Sequence, residues 1–470
     1  MALGTPSPKK DLLLLASLFL WEMSLMVVAM AMYMKGERPF AVFLSSNPGV
    51  VFLMAVAVLF IAGAVIVWQY LASKRVPSRH FRFIVMMNLV TVLLILLTGE
   101  IAMRIVTRSS PEDETLGSIV LKPRNWEKVA LHGRHVLDQA TGFLSYLEYD
   151  DLMGWTVGPH KRSPTGRYWP APYWSSSEGI RAPHEGVTFA QLGGKTRIAM
   201  VGDSFVFGEE VTYEDTWGDR LEKALGSEFQ VLNFGVNAHG VDQAYLRYEK
   251  DARQWHPKIV IIGFIHRALE NTMSVYSFLN FPGWDMPFSK PRFILRDGAL
   301  TRMNVPPLTP DAIFSRPSIF ELPFLEYDRG YWQSDWQERL IHRSYLARLF
   351  VSRFRPWSAE TPDVSDETLV TVNAAIFKAF VRTAEQAGTI PLVVYFPTKL
   401  ELENPSAPLP IGKRALQQAG IAYTDPTSCL REVNPADRFM PSGRHYSPQG
   451  NAAVANCLLS VVRQALAEAS

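Results

Sequence analysis

The sequence lacks any strong excess of charge. Its 470 residues carry a formal net charge of +2, and charged side chains make up 20% of the composition. A protein that binds a polyelectrolyte usually displays a basic patch, often with aromatic side chains between the basic ones. No basic stripe of that kind occurs in this sequence. We therefore expect no nucleic-acid partner.

Two short motifs resemble binding sites, but each lacks a residue that the site requires. Residues 192–196 end in the Gly-Lys-Thr of a phosphate-binding loop, but Phe189 occupies the position of its first glycine. His132 and His135 lie close together in the sequence, but no third ligand is spaced to complete a metal site with them. The sequence therefore predicts no metal and no other cofactor.

Cysteine is scarce. The two cysteines, Cys429 and Cys457, flank His445 in the sequence. Outside the cytoplasm they are free to form a disulfide, and the alternative is a pair of buried thiols. The Cα separation that decides between the two is a property of the fold, so both readings stay open at this stage.

Apolar residues are concentrated near the amino terminus. The stretches 11–34, 49–72 and 83–103 are each apolar over about 20 residues, which is enough to cross about 30 Å of hydrocarbon. Basic residues are enriched before the first stretch and between the second and third, which predicts that these segments face the cytoplasm. We therefore predict three transmembrane helices, with everything after about residue 106 outside the cytoplasm.

The most informative motif is a serine that follows a short apolar run. Residues 198–201 predict a buried strand, and Gly202 opens a turn at its end. Ligands bind at the carboxyl ends of strands in open α/β sheets. Since a helix is predicted to follow over 215–225, Ser204 is a candidate nucleophile on a strand-to-helix turn.

A serine hydroxyl becomes a nucleophile only when a base removes its proton, and that base is usually a histidine. The sequence offers His445, in a loop just before an amphipathic helix predicted over 447–467. A nucleophile early in the chain and a base late in the chain are compatible with a serine hydrolase.

The carboxyl-terminal half alternates between apolar strands and amphipathic helices. Strands are predicted over 198–201, 230–234, 258–264, 391–396 and 421–424. Helices are predicted over 215–225, 241–254, 364–387, 411–419 and 447–467. This alternation predicts an α/β fold with a parallel sheet covered by helices on both faces.

The predicted domain organisation follows from these patterns. It comprises a cytoplasmic tail (1–10), a three-helix transmembrane region (11–106), a linker with an aromatic-rich approach segment (107–195), and an α/β domain (196–470). Residues 276–360 interrupt the α/β domain and predict a lid-like insertion. The aromatic run 167–174 either stacks on sugar rings or packs against the α/β domain.

Three blocks of the sequence resemble the SGNH/GDSL hydrolase family. They are Gly202-Asp-Ser-Phe205, the block Asn233 to Gln243, and the block His445 to Asn451. The resemblance covers about residues 140 to 465. Within it, residues 149–155, 179–181 and 289–293 are similar to motifs of membrane-anchored bacterial members. The resemblance implies a flavodoxin-like sheet of five strands and a location at the bacterial inner membrane, with the catalytic domain on the periplasmic side.

The resemblance also implies roles for individual residues. Ser204 would be the nucleophile and His445 the base. The oxyanion donors would be the Ser204 N–H, a backbone N–H in the second block, and an asparagine side chain. Ala238 stands where the family has the oxyanion glycine, with Gly240 nearby, and Asn271 is the asparagine candidate.

The third member of the triad is less clear from the sequence. The family commonly has an aspartate two or three residues before the histidine, and Ser442 and Gly443 occupy those positions. Asp437 is the nearest upstream carboxylate, and a Ser–His dyad is the alternative.

We therefore expect a membrane-anchored, extracytoplasmic serine esterase that acts on O-acyl, typically acetyl, esters of an envelope carbohydrate or lipid. One alternative is an O-acyltransferase that uses the same serine together with a multi-span acyltransferase partner. The other is a catalytically silent scaffold or binding subunit.

Overall fold

The structure is a computed structural model that describes residues 79–117, 119–140, 142–165, 172–190, 193–354, 365–404 and 408–469. The chain divides into two compact units. The first comprises 1–126 and 332–359, and the second comprises 127–331 and 360–470. This division separates the last part of the predicted insertion, 332–359, from the α/β domain.

The first unit is built from helices and a small sheet. Its helices are Arg79–Val106 and Tyr345–Phe354. Three short antiparallel strands complete it: Arg108–Ser109, Glu114–Leu116 and Ile119–Val120.

The predicted fold class included three transmembrane helices, and this part of the prediction is wrong. Across the part of the chain that the structure describes, no helix combines the length and the apolar character that a membrane crossing requires. The first two predicted spans, 11–34 and 49–72, lie outside the described residues.

The third predicted span, 83–103, lies within the helix Arg79–Val106, which carries Glu100 and Arg104 near its carboxyl end. Glu100 accepts hydrogen bonds from the Ser344 hydroxyl and from the backbone N–H groups of Tyr345 and Leu346. Burial raises the pKa of Glu100, but these hydrogen bonds outweigh burial and hold the pKa at about 2. This end of the helix therefore carries a charged carboxylate. The sequence prediction counted the apolar residues of 83–103 and gave this single charge no weight.

Four parallel strands form the central sheet of the second unit. They are β1 (Thr196–Gly202), β2 (Phe229–Asn233), β3 (Ile259–Phe264) and β4 (Ile390–Tyr395), in the order β4-β3-β1-β2. In the register of the sheet, Ile261 of β3 lies opposite Met200 of β1 and Leu392 of β4. All three pairings are parallel, so the carboxyl ends of the strands meet at one edge.

The predicted fifth strand contributes only one bridge, between Thr424 and Val394. The preceding helix ends at Gly420 with a φ of 66°, and the next helix begins soon after, at Thr427.

Helices cover both faces of this sheet, as the alternation of apolar segments predicted. Residues alternate along β1, so that Ala199 and Val201 join one hydrophobic core while Ile198 and Met200 join the other. Seven helices with roles in the site or the core are α1 (Ser204–Phe207), α2 (Trp217–Leu225), α3 (Val241–Arg247), α4 (His266–Asn271), α5 (Asp366–Gln386), α6 (Ile411–Ala419) and α7 (Pro448–Glu468). Helices α3, α5 and α6 pack on the first core, and α2 and α7 pack on the second.

Shorter elements surround the sheet. The strands Leu147–Asp150 and Gly154–Val157, Trp174–Ser175 and Arg181–Ala182, and Arg292–Arg296 and Ala299–Met303 form three antiparallel pairs. Further α-helices in the part of the chain that the structure describes are Trp126–Gln139, Ser277–Asn280, Pro310–Phe314, Lys399–Glu403 and Thr427–Glu432. A fully buried ion pair between Lys290 and Asp242 connects the segment before the last hairpin to α3.

Candidate active site

The serine of the first sequence block lies on a tight turn at the end of β1. Asp203 caps the one-turn helix α1, because its Oδ1 accepts a hydrogen bond from the Phe205 N–H at 2.8 Å. Gly208 ends α1 with a φ of 77°, and a Cβ there would lie 2.3 Å from Thr216 Cγ2. This turn leaves Ser204 partly exposed, while the residues on either side of it are buried.

The structure brings the two predicted residues Ser204 and His445 together. Nε2 of His445 lies 2.9 Å from Oγ of Ser204, which is hydrogen-bonding distance. The imidazole is buried, and the Phe205 ring lies 5.1 Å from it. The next residue, Tyr446, is fixed by a hydrogen bond from its hydroxyl to the Pro397 carbonyl. The loop that carries the base is therefore held on both sides of the imidazole.

The carboxylate next to this histidine is that of Glu210. Its Oε2 lies 2.9 Å from Nδ1 of His445, and the Ser442 hydroxyl donates to the same oxygen at 2.7 Å. Because a carboxylate accepts only, Nδ1 carries the proton, and Nε2 is left as the acceptor for the Ser204 hydroxyl. Glu210 has a φ of 70°, and its N–H donates to the Tyr173 hydroxyl, which fixes this left-handed residue in place.

Asp437, the predicted third member, lies elsewhere. Its side chain is exposed at the end of a short helical turn, Pro435–Asp437, and its carbonyl accepts a hydrogen bond from the Ser447 hydroxyl. Among the described residues, no hydrogen bond or ion pair joins Asp437 to His445. Asp437 is therefore close to His445 in the sequence, but its side chain is not in contact with the imidazole.

The carboxylates around His445 shift its pKa in the direction opposite to the effect of burial. Burial lowers the pKa of His445, but the negative charge of Glu209 and the hydrogen bond with Glu210 outweigh this and raise the pKa above its ordinary value. Burial raises the pKa of Glu210, but hydrogen bonds from His445 and Ser442 outweigh burial and lower it. Burial raises the pKa of Asp203 to about 6. The site thus combines a strengthened base with an ionised partner.

A second carboxylate, that of Glu209, lies on the other side of the imidazole. Its Oε2 is 3.7 Å from Nε2 of His445, and it accepts a hydrogen bond from the Asn237 side-chain amide. Asn237 is held in turn, because its Oδ1 accepts from the Tyr146 hydroxyl and its carbonyl accepts from the Trp155 indole. Glu209 therefore occupies a fixed position beside the nucleophile.

The second sequence block runs beside the nucleophile turn. The Val236 N–H donates to the Gly202 carbonyl, and a Cβ on Gly235 would lie 2.4 Å from the Phe207 nitrogen. Only glycine allows so close an approach of two backbones. This approach brings the segment that contains Ala238 alongside the turn that contains Ser204.

The three predicted oxyanion residues have different surroundings. Ala238 adopts a left-handed conformation with a φ of 61°, and its carbonyl accepts a hydrogen bond from the Asn271 amide at 3.2 Å. The Asn271 amide thus fixes the Ala238 peptide. The Gly240 N–H donates to Gln243 Oε1 at 3.0 Å, so it is already committed. Among the described hydrogen bonds, neither Ser204 nor Ala238 donates its N–H to an acceptor.

Aromatic residues of the approach segment pack behind the nucleophile turn. The ring of Tyr173 lies 5.2 Å from that of Phe207, and the Arg181 guanidinium lies over both rings. For Tyr173, packing against the α/β core is therefore the role that the structure describes. Residues 166–171, which include most of the predicted aromatic run, lie outside the described residues.

The two cysteines form a disulfide with a Cα separation of 6.0 Å. The bond joins the helix Thr427–Glu432 to α7, the helix that follows the His445 loop. Both segments that flank the base-bearing loop are therefore covalently connected.

Sequence reasoning missed Glu209, Glu210 and Asn237. The sequence shows only the adjacent Glu209-Glu210 pair just after Gly208, and their burial, which is unusual for acidic residues, is known from the structure. The family resemblance implies instead a carboxylate two or three residues before the histidine.

Comparison with known proteins gives matches among solved structures. No protein-family model matches the sequence, and no curated protein matches it significantly. A lipase/acylhydrolase from Enterococcus faecalis is 12% identical, with 57% of this chain and 96% of that chain covered and a TM-score of 0.30. An acetylxylan esterase from Geobacillus stearothermophilus is 13% identical, with 57% and 94% covered and a TM-score of 0.28.

A two-domain esterase described as active on acetylated mannans is 12% identical, with 60% of this chain and 52% of that chain covered and a TM-score of 0.30. At these identities and TM-scores, the functional conclusion rests on the geometry of the site.

Proposed function

We propose that this protein is a serine ester hydrolase whose triad is Ser204, His445 and Glu210. One observation carries the proposal, namely a continuous hydrogen-bonded chain. Oγ of Ser204 lies 2.9 Å from Nε2 of His445, and Nδ1 of the same imidazole lies 2.9 Å from the Glu210 carboxylate. A nucleophile, a base and a group that orients the base are the arrangement that acyl transfer requires.

In the first half of the reaction, Oγ of Ser204 attacks the ester carbonyl while Nε2 of His445 takes the hydroxyl proton. Glu210 keeps the imidazole in the tautomer that can accept this proton, and its charge stabilises the imidazolium that forms. The imidazolium then donates the proton to the leaving alcohol, and an acyl-serine remains. Water deprotonated by His445 releases the acid in the second half.

Negative charge develops on the carbonyl oxygen in each tetrahedral intermediate. The N–H groups of Ser204 and Ala238 are the donors assigned to this oxygen, because both lack a described acceptor within the protein. Asn271 acts through Ala238, since its amide holds the carbonyl of that residue. In this proposal Asn271 is a positioning residue.

The proposed substrate is an O-acyl, typically acetyl, ester of a carbohydrate or lipid. The resemblance of the three sequence blocks supports this class. The disulfide between Cys429 and Cys457 supports a location outside the reducing cytoplasm. A multi-span acyltransferase partner stays a prediction.

A fluorophosphonate probe tests the proposed nucleophile directly. We expect it to label the wild type and to leave Ser204→Ala and His445→Ala unlabelled, with hydrolysis of an aryl acetate reduced by more than about 10⁴-fold in both. Ser460→Ala, an exposed serine on α7, is the matched control and should label fully. Absence of labelling in a folded wild type would indicate a silent scaffold. Acylated oligosaccharide in place of free acid among the products would indicate a transferase.

A further inference from the structure

Glu209 is a buried carboxylate with few partners. Its side chain is 4% exposed, and the hydrogen bond described for it comes from the Asn237 amide. In the part of the chain that the structure describes, no lysine or arginine forms an ion pair with Glu209. A carboxylate can accept about four hydrogen bonds, and buried charges are normally paired or fully hydrogen-bonded. The acceptor capacity of Glu209 is therefore largely unused.

Neighbouring residues do not account for this carboxylate. Glu210 already contacts Nδ1 of His445, so Glu209 is not needed to orient the base. The charge of the buried Arg181 guanidinium attracts that of Glu209, but no described hydrogen bond joins the two. Arg181 lies over the rings of Tyr173 and Phe207 and donates to the Val211 carbonyl. We therefore expect a ligand to donate the hydrogen bond that the protein does not supply to Glu209.

The position of Glu209 indicates which part of a substrate would reach it. Its Oε2 is 3.7 Å from Nε2 of His445, the atom that returns the proton to the leaving alcohol. A substrate oxygen on Nε2 therefore has Glu209 beside it. In a polyol the nearest free hydroxyl is on the carbon vicinal to the one that carries that oxygen. With hydrogen bonds of about 2.5–3.0 Å, the leaving oxygen can accept the proton from Nε2 while the vicinal hydroxyl donates to the Glu209 carboxylate.

We propose that Glu209 accepts a hydrogen bond from a free hydroxyl adjacent to the scissile ester, so that the preferred substrates are partly acylated polyols. This inference deepens the proposed esterase function and rests on it. The bond between the acyl carbon and the ester oxygen breaks, and the serine proton passes through His445 to that oxygen. The adjacent hydroxyl keeps its proton and shares it with Glu209.

The same geometry disfavours a negative group beside the ester. Glu209 and Glu210 both lie within 4 Å of the imidazole of His445. An anionic substituent at the adjacent carbon would lie beside the Glu209 carboxylate, whose negative charge would repel it. The substrate class is therefore a neutral sugar or glycerol ester that keeps a neighbouring hydroxyl free.

The test compares two esters that differ in one hydroxyl, 2-hydroxypropyl acetate and propyl acetate. We expect the wild type to favour the hydroxy ester in kcat/KM by about ten- to a hundredfold, the range of a hydrogen bond to a charged group. In Glu209→Met, which removes the acceptor, this ratio should fall close to one. Any general loss of activity cancels, since both rates come from the same variant.

Glu228→Gln is the matched control, because Glu228 is exposed and its carbonyl pairs with the Thr196 N–H, at the opposite end of β1 from Ser204. Its ratio should equal that of the wild type. An aryl acetate, which needs no neighbouring hydroxyl, reports the proposed function separately. A wild type that hydrolyses the aryl acetate without favouring the hydroxy ester overturns the inference and leaves the esterase proposal intact. The comparison of the two esters in the wild type is valid even if Glu209→Met fails to fold.

Discussion

The carboxylate of Glu210 lies 2.9 Å from Nδ1 of His445, although 235 residues separate the two in the chain. Ser204 and Glu210 come instead from a single turn and the few residues that follow it. The nucleophile and the acid of the proposed triad are thus neighbours in sequence, and only the base arrives from a distant segment.

Replacing Glu210 by glutamine should lower kcat for an aryl acetate by about 10²–10⁴-fold, because the neutral amide no longer selects the productive tautomer or stabilises the imidazolium. Asp437→Asn is the matched control and should keep kcat near the wild-type value, since its side chain is exposed. Steady-state kinetics on both variants decide between the two carboxylates. A large loss in Asp437→Asn with little change in Glu210→Gln would contradict the assignment.

The pH dependence of kcat/KM should report the charge of Glu209. Burial lowers the pKa of His445, and the negative charge of Glu209 is the main influence that raises it. Glu209→Gln removes that charge, so the pKa should fall and the acidic limb of the profile should move to lower pH. The limb in Glu228→Gln should stay in place. A shift of the Glu209→Gln limb to higher pH would refute this account of the electrostatics.

Ala238→Gly should raise the free energy of unfolding by up to about 1 kcal/mol, because glycine adopts the left-handed φ of 61° without steric cost. The same change at Ala224, an exposed position in α2, should lower it by about 1 kcal/mol. Urea unfolding of both variants measures this reversal of sign. Equal destabilisation at the two positions would show that the left-handed conformation of Ala238 carries no strain.

Breaking the disulfide should destabilise the protein. The bond closes a separation of 28 residues, for which the loss of chain entropy corresponds to about 3–4 kcal/mol. Cys429→Ser, Cys457→Ser and the double variant should all lose the same amount in urea unfolding, because each removes the same bond. A double variant that loses twice as much as either single variant would mean that the thiols stabilise the fold separately.

The sequence predicted those parts of the fold that depend on local apolar patterns. Residues 198–201 and 258–264 are apolar runs bounded by turn residues, and they correspond to β1 and β3. Ser204 and His445 were found because each sits in a short block with a recognisable composition. Their proximity could be expected, because the strand and the loop lead to the same edge of the sheet.

The acid could not be found in the same way. Its position depends on the left-handed φ of Glu210 and on the hydrogen bond between its N–H and the Tyr173 hydroxyl. Neither feature has a local signature, since Tyr173 comes from a different segment. The sequence assigned Asn271 as an oxyanion donor, but its amide donates to the Ala238 carbonyl. The length of the turn that places Asn271 there cannot be derived from the sequence.

The shared origin of Ser204 and Glu210 has a consequence for how the protein acquires activity during synthesis. When the early part of the α/β unit has left the ribosome, the chain contains the nucleophile and the acid but not yet the histidine that removes the serine proton. Chemistry begins only when the segment carrying His445 has emerged and docked beside them, and that segment is also held by the Cys429–Cys457 bond. A nascent chain therefore hydrolyses no ester until the segment with His445 and the helix that follows it have folded.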